Sequence, residues 1–346
     1  GPADGRITKR AEEFGRLARF LQENTTIFST HTAEFSGVAI LDPRDCDAIA
    51  FAEGYRGRYN DAILRLYNAL LHIGVRAEFR NTRQLREDAL ELDGIRVLFL
   101  PFRPCVDPWM AEKLRAFVEA GGVVIAESPF ALKNTTGIHY EITPGLMTDL
   151  FGVQVFDLEK LKESTCGALP AYDFKAVAEP KGGNVEATFA DGTPAIITNR
   201  YGKGGTVLYL SQVSAAYQIE KPFYPNDIPV ISYEDGQTFR NELSRRLSAA
   251  GIAPGWEFEE IDREETRKYL QIFRRNLPDG RKLLFVLNMD EKPHCFSLHF
   301  PGIEQLATLG ASSEEERPAL GSRTRFDLAP WGWAVLTGVS AGGDGK

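Results

Sequence analysis

Cysteine is scarce in this chain of 346 residues, and its four copies, Cys46, Cys105, Cys166 and Cys295, stand far apart without a CxxC pair. That spacing argues against a disulfide framework or a zinc ribbon and leaves free thiols in a reducing, cytoplasmic setting as the simplest reading. Long apolar runs are lacking too, since none approaches the roughly eighteen residues that a membrane span requires. Basic clusters are missing, and a net charge of -8 argues against nucleic acid or an anionic membrane as partner. Metal-ligand patterns are equally thin. His294 and His299 sit five apart on an expected strand, so their side chains leave by opposite faces. Asp42, Asp45 and Asp47 lack the glycine and the closing glutamate of a calcium loop. No metal or cofactor is expected. The chain starts at Gly1 with no initiator Met, so a missing signal peptide carries little weight.

What is present is ordinary globular composition, 43% hydrophobic and 25% charged, in a length that favours two domains. The most informative stretch runs from Val97 to Glu127: VLFLPF, then RPCVDPWMAEKLRAFVEAGG, then VVIAE. Two runs apolar throughout flank an amphipathic helix, which is the pattern of parallel strands covered on both faces. Asp107 is positioned to cap the helix, Pro108 fits its first position, and Gly121 with Gly122 allows a left-handed stop. Trp109, Leu114, Phe117 and Val118 form its expected buried stripe.

Around this unit the order is a helix from Thr8 to Asn24, a strand Ser36–Leu41, a helix near 59–73, a short strand Arg76–Phe79, a brief helix near 146–151 and a fifth strand Val153–Asp157. The expected fold is α/β, a flavodoxin-like (class I glutamine amidotransferase-like) doubly wound parallel sheet. From Tyr172 the period switches to two, with Asp191-Gly192 as a hairpin turn and Tyr201–Gly205 as another. A helix over 239–250 closes this part, Pro254-Gly255 reads as a linker, and alternating strands to Thr337 predict a small antiparallel β-sandwich. The expected domains are therefore 1–35, a helical tail; 36–251, the α/β domain; and 252–346, the sandwich.

In such a sheet, ligands bind beyond the carboxyl ends of the strands. Cys105, Glu127 and Ser128 lie there and are the candidate binding residues. A nucleophile elbow needs flanking glycines, whereas Ser128 is followed by Pro129, so no catalytic residue is assigned. Gly202-Lys203-Gly204-Gly205 resembles a phosphate loop, but strands flank it on both sides, which makes it a hairpin turn. The acidic run Glu259, Glu260, Asp262, Glu264 and Glu265 reads as a solvated face. Tyr217, Phe223, Tyr224 and Tyr233, on a proline-rich insertion, are a candidate contact loop for a subunit, a neighbouring domain or a sugar. Trp331 and Trp333 are expected in the sandwich core.

The succession SGVAIL, YNDAILRLYNALLHIGV, VLFLPF, AEKLRAFVEAGGVVIAES and GLMTDLFGV resembles the trimerisation domain of glycoside hydrolase family 42 beta-galactosidases. DGTPAIITNRYGKGGTVLYL is similar to that domain's closing hairpin, and KLLFVLNMDEKP with FDLAPWGWAVLTG is similar to the family's C-terminal β domain. GPADGRITKRAEEFGRLARFL resembles the exit from its catalytic barrel. The resemblance implies a homotrimer, and a catalytic barrel upstream whose two glutamates, about 5 Å apart in a retaining enzyme, have no counterpart here. Two readings compete with this assembly role. One is a free-standing amidotransferase-like hydrolase using Cys105 or Ser128 with His72 or His139 as base, and the other is a carbohydrate-binding module.

Overall fold

A computed structural model describes residues 9–54, 56–86, 94–161, 165–172, 174–217, 236–321 and 323–340. The chain divides into two compact units, Phe35–Ala253 and Gly1–Glu34 with Pro254–Lys346.

The first unit is built on a seven-stranded sheet. Its strands are β1 (Val38–Asp42), β2 (Glu78–Asn81), β3 (Val97–Leu100), β4 (Val123–Glu127), β5 (Asn184–Thr188), β6 (Pro194–Tyr201) and β7 (Gly204–Tyr209). They lie in the order β5-β6-β7-β4-β3-β1-β2. Residues 38–41 of β1, all of β3 and residues 124–127 of β4 are buried without interruption. That continuity is why their sequences are apolar at every position rather than at alternate ones. Register places Phe99 between Ile40 and Ile125 at the centre of the core.

The expected flavodoxin-like, doubly wound parallel sheet is not what forms. The sheet is mixed: β5, β6 and β7 pair antiparallel, and most strand pairings among the described residues are antiparallel. Val153–Lys160, the expected fifth parallel strand, leaves the sheet and pairs antiparallel with Phe174–Pro180. β7 stands beside β4 in its place. The reason lies in the connections. Two-residue turns such as Gly202-Lys203 reverse the chain at once, whereas a parallel pairing needs a crossover of a dozen residues or more.

The helix Pro108–Ala120 packs on β4 and β7, and the helices Arg56–His72 and Gln237–Ala249 pack on each other. Pro108 opens the first of these and Gly121, at φ 121, closes it. Asp107 does not cap it with its side chain. Its carboxylate instead accepts hydrogen bonds from the Thr135 amide at 2.9 Å and the Thr135 hydroxyl, tying the loop after β4 to the helix start. Gly204 is required by packing: a Cβ there would meet the carbonyl oxygens of Gly122 and Val118 at 2.1 and 2.4 Å.

The second unit is antiparallel throughout. Five strands, ordered Thr32–Ala33, Leu270–Asn276, Lys282–Asn288, Trp333–Ser340 and Ile303–Ala311, form one sheet. Glu257–Ile261, His294–His299 and Thr324–Leu328 form another. Burial alternates along Thr324–Leu328, and Phe326 stacks on its register partner Phe296 at 5.3 Å. Residues ahead of Phe35 are woven into this unit. Thr32 and Ala33 pair with Asn276 and Arg275, and Glu34 bridges Arg274 and Lys282. Phe20 reaches over Gly310, which has no Cβ to block it, and packs on Trp333 at 5.0 Å. Trp331, expected in this core beside Trp333, is exposed at φ 61.

Candidate functional site

The carboxyl ends of β3 and β4 carry the candidate residues Cys105, Glu127 and Ser128. A short strand, Arg103–Cys105, continues beyond β3 and pairs with Phe130–Lys133 beyond β4. It closes the corner with buried charge. The Arg103 guanidinium, 1% exposed, pairs with Asp45 and lies 3.2 Å from the Met110 sulfur, and Lys133 pairs with Glu53. Cys105 is buried against Cys46, whose thiol donates to the Cys105 carbonyl at 3.6 Å. The contact with Cys46, reinforced by burial, pushes the Cys105 thiol far above its ordinary range, opposite to what a nucleophile needs.

Glu127 is fully buried at the end of β4. One carboxyl oxygen accepts from the amides of Val213 and Ser214 at 3.1 and 3.0 Å, and the Ser214 hydroxyl donates to the other. Burial raises its pKa to about 8, against the lowering effect of those hydrogen bonds. Glu127 thus latches the segment after β7 onto the strand end. Ser128 is also buried, on a cis bond to Pro129, and its amide donates to the Tyr209 carbonyl. Gln212 beside this latch is buried with neither atom of its side-chain amide hydrogen-bonded.

Of the two candidate bases, His139 lies one strand beyond Lys133, the register partner of Cys105, and His72 lies on another element. His72 is buried with Nδ1 2.8 Å from the Tyr217 hydroxyl, and His139 is exposed on a loop bridged to Lys133. The structure therefore brings Cys105 to Cys46 and Glu127 to Ser214, but assembles no nucleophile and base pair from the candidates. The amidotransferase-like reading finds no support in this mixed, β-rich fold. Sequence reasoning missed the partners Cys46, Asp45 and Ser214, whose positions 58 to 87 residues from their contacts leave no local signal.

Tyr217 lies inside the unit, 3% exposed, with Arg240 donating to its hydroxyl at 3.0 Å. Phe223, Tyr224 and Tyr233 fall outside the described residues. The acidic run is partly paired: Arg323 meets Glu259 and Glu260, and Asp262 with Asp290 flanks the buried ring of His294. Among the described residues no three His, Cys, Asp or Glu side chains gather as metal ligands, and no helix is long and apolar enough to cross a membrane.

The strand-end corner is thus filled by its own side chains, on a mixed sheet whose unit leaves several large apolar side chains exposed. The family described as "Beta-galactosidase trimerisation domain" matches residues 38–225, more than half of the chain, and the chain belongs to that family. Such membership carries association with other chains. No curated protein sequence matches it. The fold is shared with a beta-galactosidase from Bacillus circulans sp. alkalophilus at 16% identity and a TM-score of 0.66, covering 96% of this chain and 45% of that one. A cold-adapted beta-galactosidase from Rahnella sp. R3 matches at 18% and 0.62, over 89% and 41%. A catalytic mutant of a GH42 beta-galactosidase from G. stearothermophilus matches at 16% and 0.65, over 97% and 45%. The chain thus spans less than half the length of these solved relatives. Among the described residues there is no catalytic barrel.

Proposed function

We propose that this chain is the non-catalytic, assembling part of a family-42-like beta-galactosidase, closing three copies about a threefold axis and supporting catalytic barrels that lie outside these residues. The observation that carries the reading is the trimerisation-domain match over 38–225 on a unit whose strand-end corner is filled by its own side chains. Cys105, Glu127 and Ser128 then serve packing. The insertion that starts at Tyr217 remains a candidate contact loop, with Phe223, Tyr224 and Tyr233 as its anchors. Four free cysteines favour a reducing, cytoplasmic setting.

Light scattering on the purified chain tests the reading. The expected mass is three times 38.5 kDa, with no hydrolysis of an aryl galactoside. A monomer at micromolar concentration, or turnover abolished by Cys105→Ala or Ser128→Ala, overturns it.

A further inference from the structure

A cavity of about 480 Å³ opens in the Phe35–Ala253 unit at the amino ends of β4 and β7, the opposite end of these strands from Glu127. Its floor is the sheet. Alternation along β6 turns Thr198 and Arg200 to one face, where Val207 and Gly205 of β7 are their register partners. Val123 of β4 continues the row beside Gly205. Gly205 has no side chain to fill the space between Arg200 and Val123, and a Cβ there would meet the Asn199 carbonyl at 2.9 Å. The end of the helix Gln237–Ala249, from Arg246 to Ala250, forms a wall.

The chain as a whole has a net charge of -8, yet this cavity gathers the cations Arg96, Arg200, Lys203 and Arg246. No carboxylate is among the described residues that line it. Arg246 is held by Glu186 and Glu242, which stand outside the lining, and Glu119 lies beside Gly202 without entering it. Arg96 donates to the Gly251 carbonyl at 2.8 Å. Neither it nor Arg200 nor Lys203 has a carboxylate partner among the described residues. The Lys203 backbone is fixed, because its amide donates to the Glu119 carbonyl at 3.1 Å. At the helix end the carbonyls of Arg246, Leu247 and Ser248 accept from the amides of Ala250 and Gly251, so they are not left free to repel an anion.

Cations without carboxylate partners around a concave floor favour an anion with several oxygens, and guanidinium forks match phosphate. The volume lies in the range of small-molecule sites, roughly 300–1,000 Å³, and exceeds what a bare phosphate fills. The remaining groups narrow the class. Thr198 offers a hydroxyl, while no aromatic ring is among the described lining residues, so a nucleobase would find nothing to stack on. We propose that the cavity binds a phosphorylated sugar, with its phosphate between Arg200 and Lys203 and its hydroxyls towards Thr198 and Arg96. The turn Gly202-Lys203-Gly204-Gly205 thus serves an anion through its lysine side chain, where a phosphate loop would use the amides of a helix start. This site is independent of the trimer reading.

The test is calorimetric titration of the whole chain with glucose 6-phosphate and galactose 1-phosphate, with glucose, inorganic phosphate and AMP as comparison probes and thermal melting as the control for folding. At least one ester should bind once per chain, at least about tenfold tighter than inorganic phosphate or AMP, and glucose should give no heat. Arg200 and Lys203 are exposed, so R200A/K203A should leave melting unchanged while weakening the ester at least about tenfold. If that variant melts lower, K203E alone carries the test with the same expected loss. No heat from either ester at millimolar concentration, or binding that neither variant weakens, overturns the site. Inorganic phosphate or AMP binding as tightly as the better ester overturns its assignment to a sugar phosphate.

Discussion

The two units are held together by different means. Phe35–Ala253 buries whole strands between layers, so β1, β3 and β4 are apolar almost end to end. The unit made of residues before Phe35 and after Ala253 buries one face of each strand, so Thr324–Leu328 alternates between inside and outside. The first unit has room for polar groups inside, namely the Arg103–Asp45 ion pair and the Glu127–Ser214 hydrogen bond, and uses them to close its strand ends. The second keeps its charges nearer the surface and relies on aromatic packing, as in Phe296 on Phe326 and Phe20 on Trp333.

The sharpest way to break this contrast is Gly204→Ala. The added methyl falls within 2.4 Å of two backbone carbonyls that cannot retreat without moving a helix end. A loss above about 4 kcal/mol is expected in the first unit alone. Amide exchange should rise across 97–127 and stay unchanged across 282–288. Equal loss of protection in both units would show that they do not unfold as separate bodies. Leu283→Ala is the counterpart in the second unit, where Leu283 is wholly buried; about 2–5 kcal/mol should be lost, with protection falling across 270–288 instead.

The last test concerns Glu127 and is read as a pH dependence rather than as a loss at one pH. Its pKa is raised in the folded state from the ordinary carboxyl value of 4.5 to about 8, so the folded form holds the proton more tightly. The stabilisation is complete below about pH 4.5 and is lost as pH rises towards 8, at up to about 1.4 kcal/mol per pH unit. Glu127→Gln keeps a neutral side chain at every pH and should flatten that slope in denaturant melts. A slope left unaltered would mean that Glu127 is ionised in the folded protein.

Several elements are legible in the sequence. The helix start at Pro108 and its stop at Gly121 follow from fixed φ and from the absence of a Cβ, which are properties of single residues. The turn at Gly202 is legible for the same reason. Asp107 shows the limit. Its place before a helix suggests a cap, yet the carboxylate turns to Thr135, because a partner 28 residues away competes with the amides next door. Val153–Lys160 shows another, since an apolar run does not say which strand it will lie beside. Tyr217 has the sequence context of a surface aromatic, yet His72 and Arg240 surround its hydroxyl.

Residues acting through their own backbone preferences, and those recurring at helical or strand spacing, were determined by the sequence alone, together with the resemblance of their succession to a known assembly domain. Tertiary structure decided the pairing partners: which strand β7 adjoins, what fills the corner at Glu127, and where residues 32–34 are woven in. Those outcomes compare the burial of one surface with that of another far along the chain, and no short stretch of sequence contains both sides of that comparison.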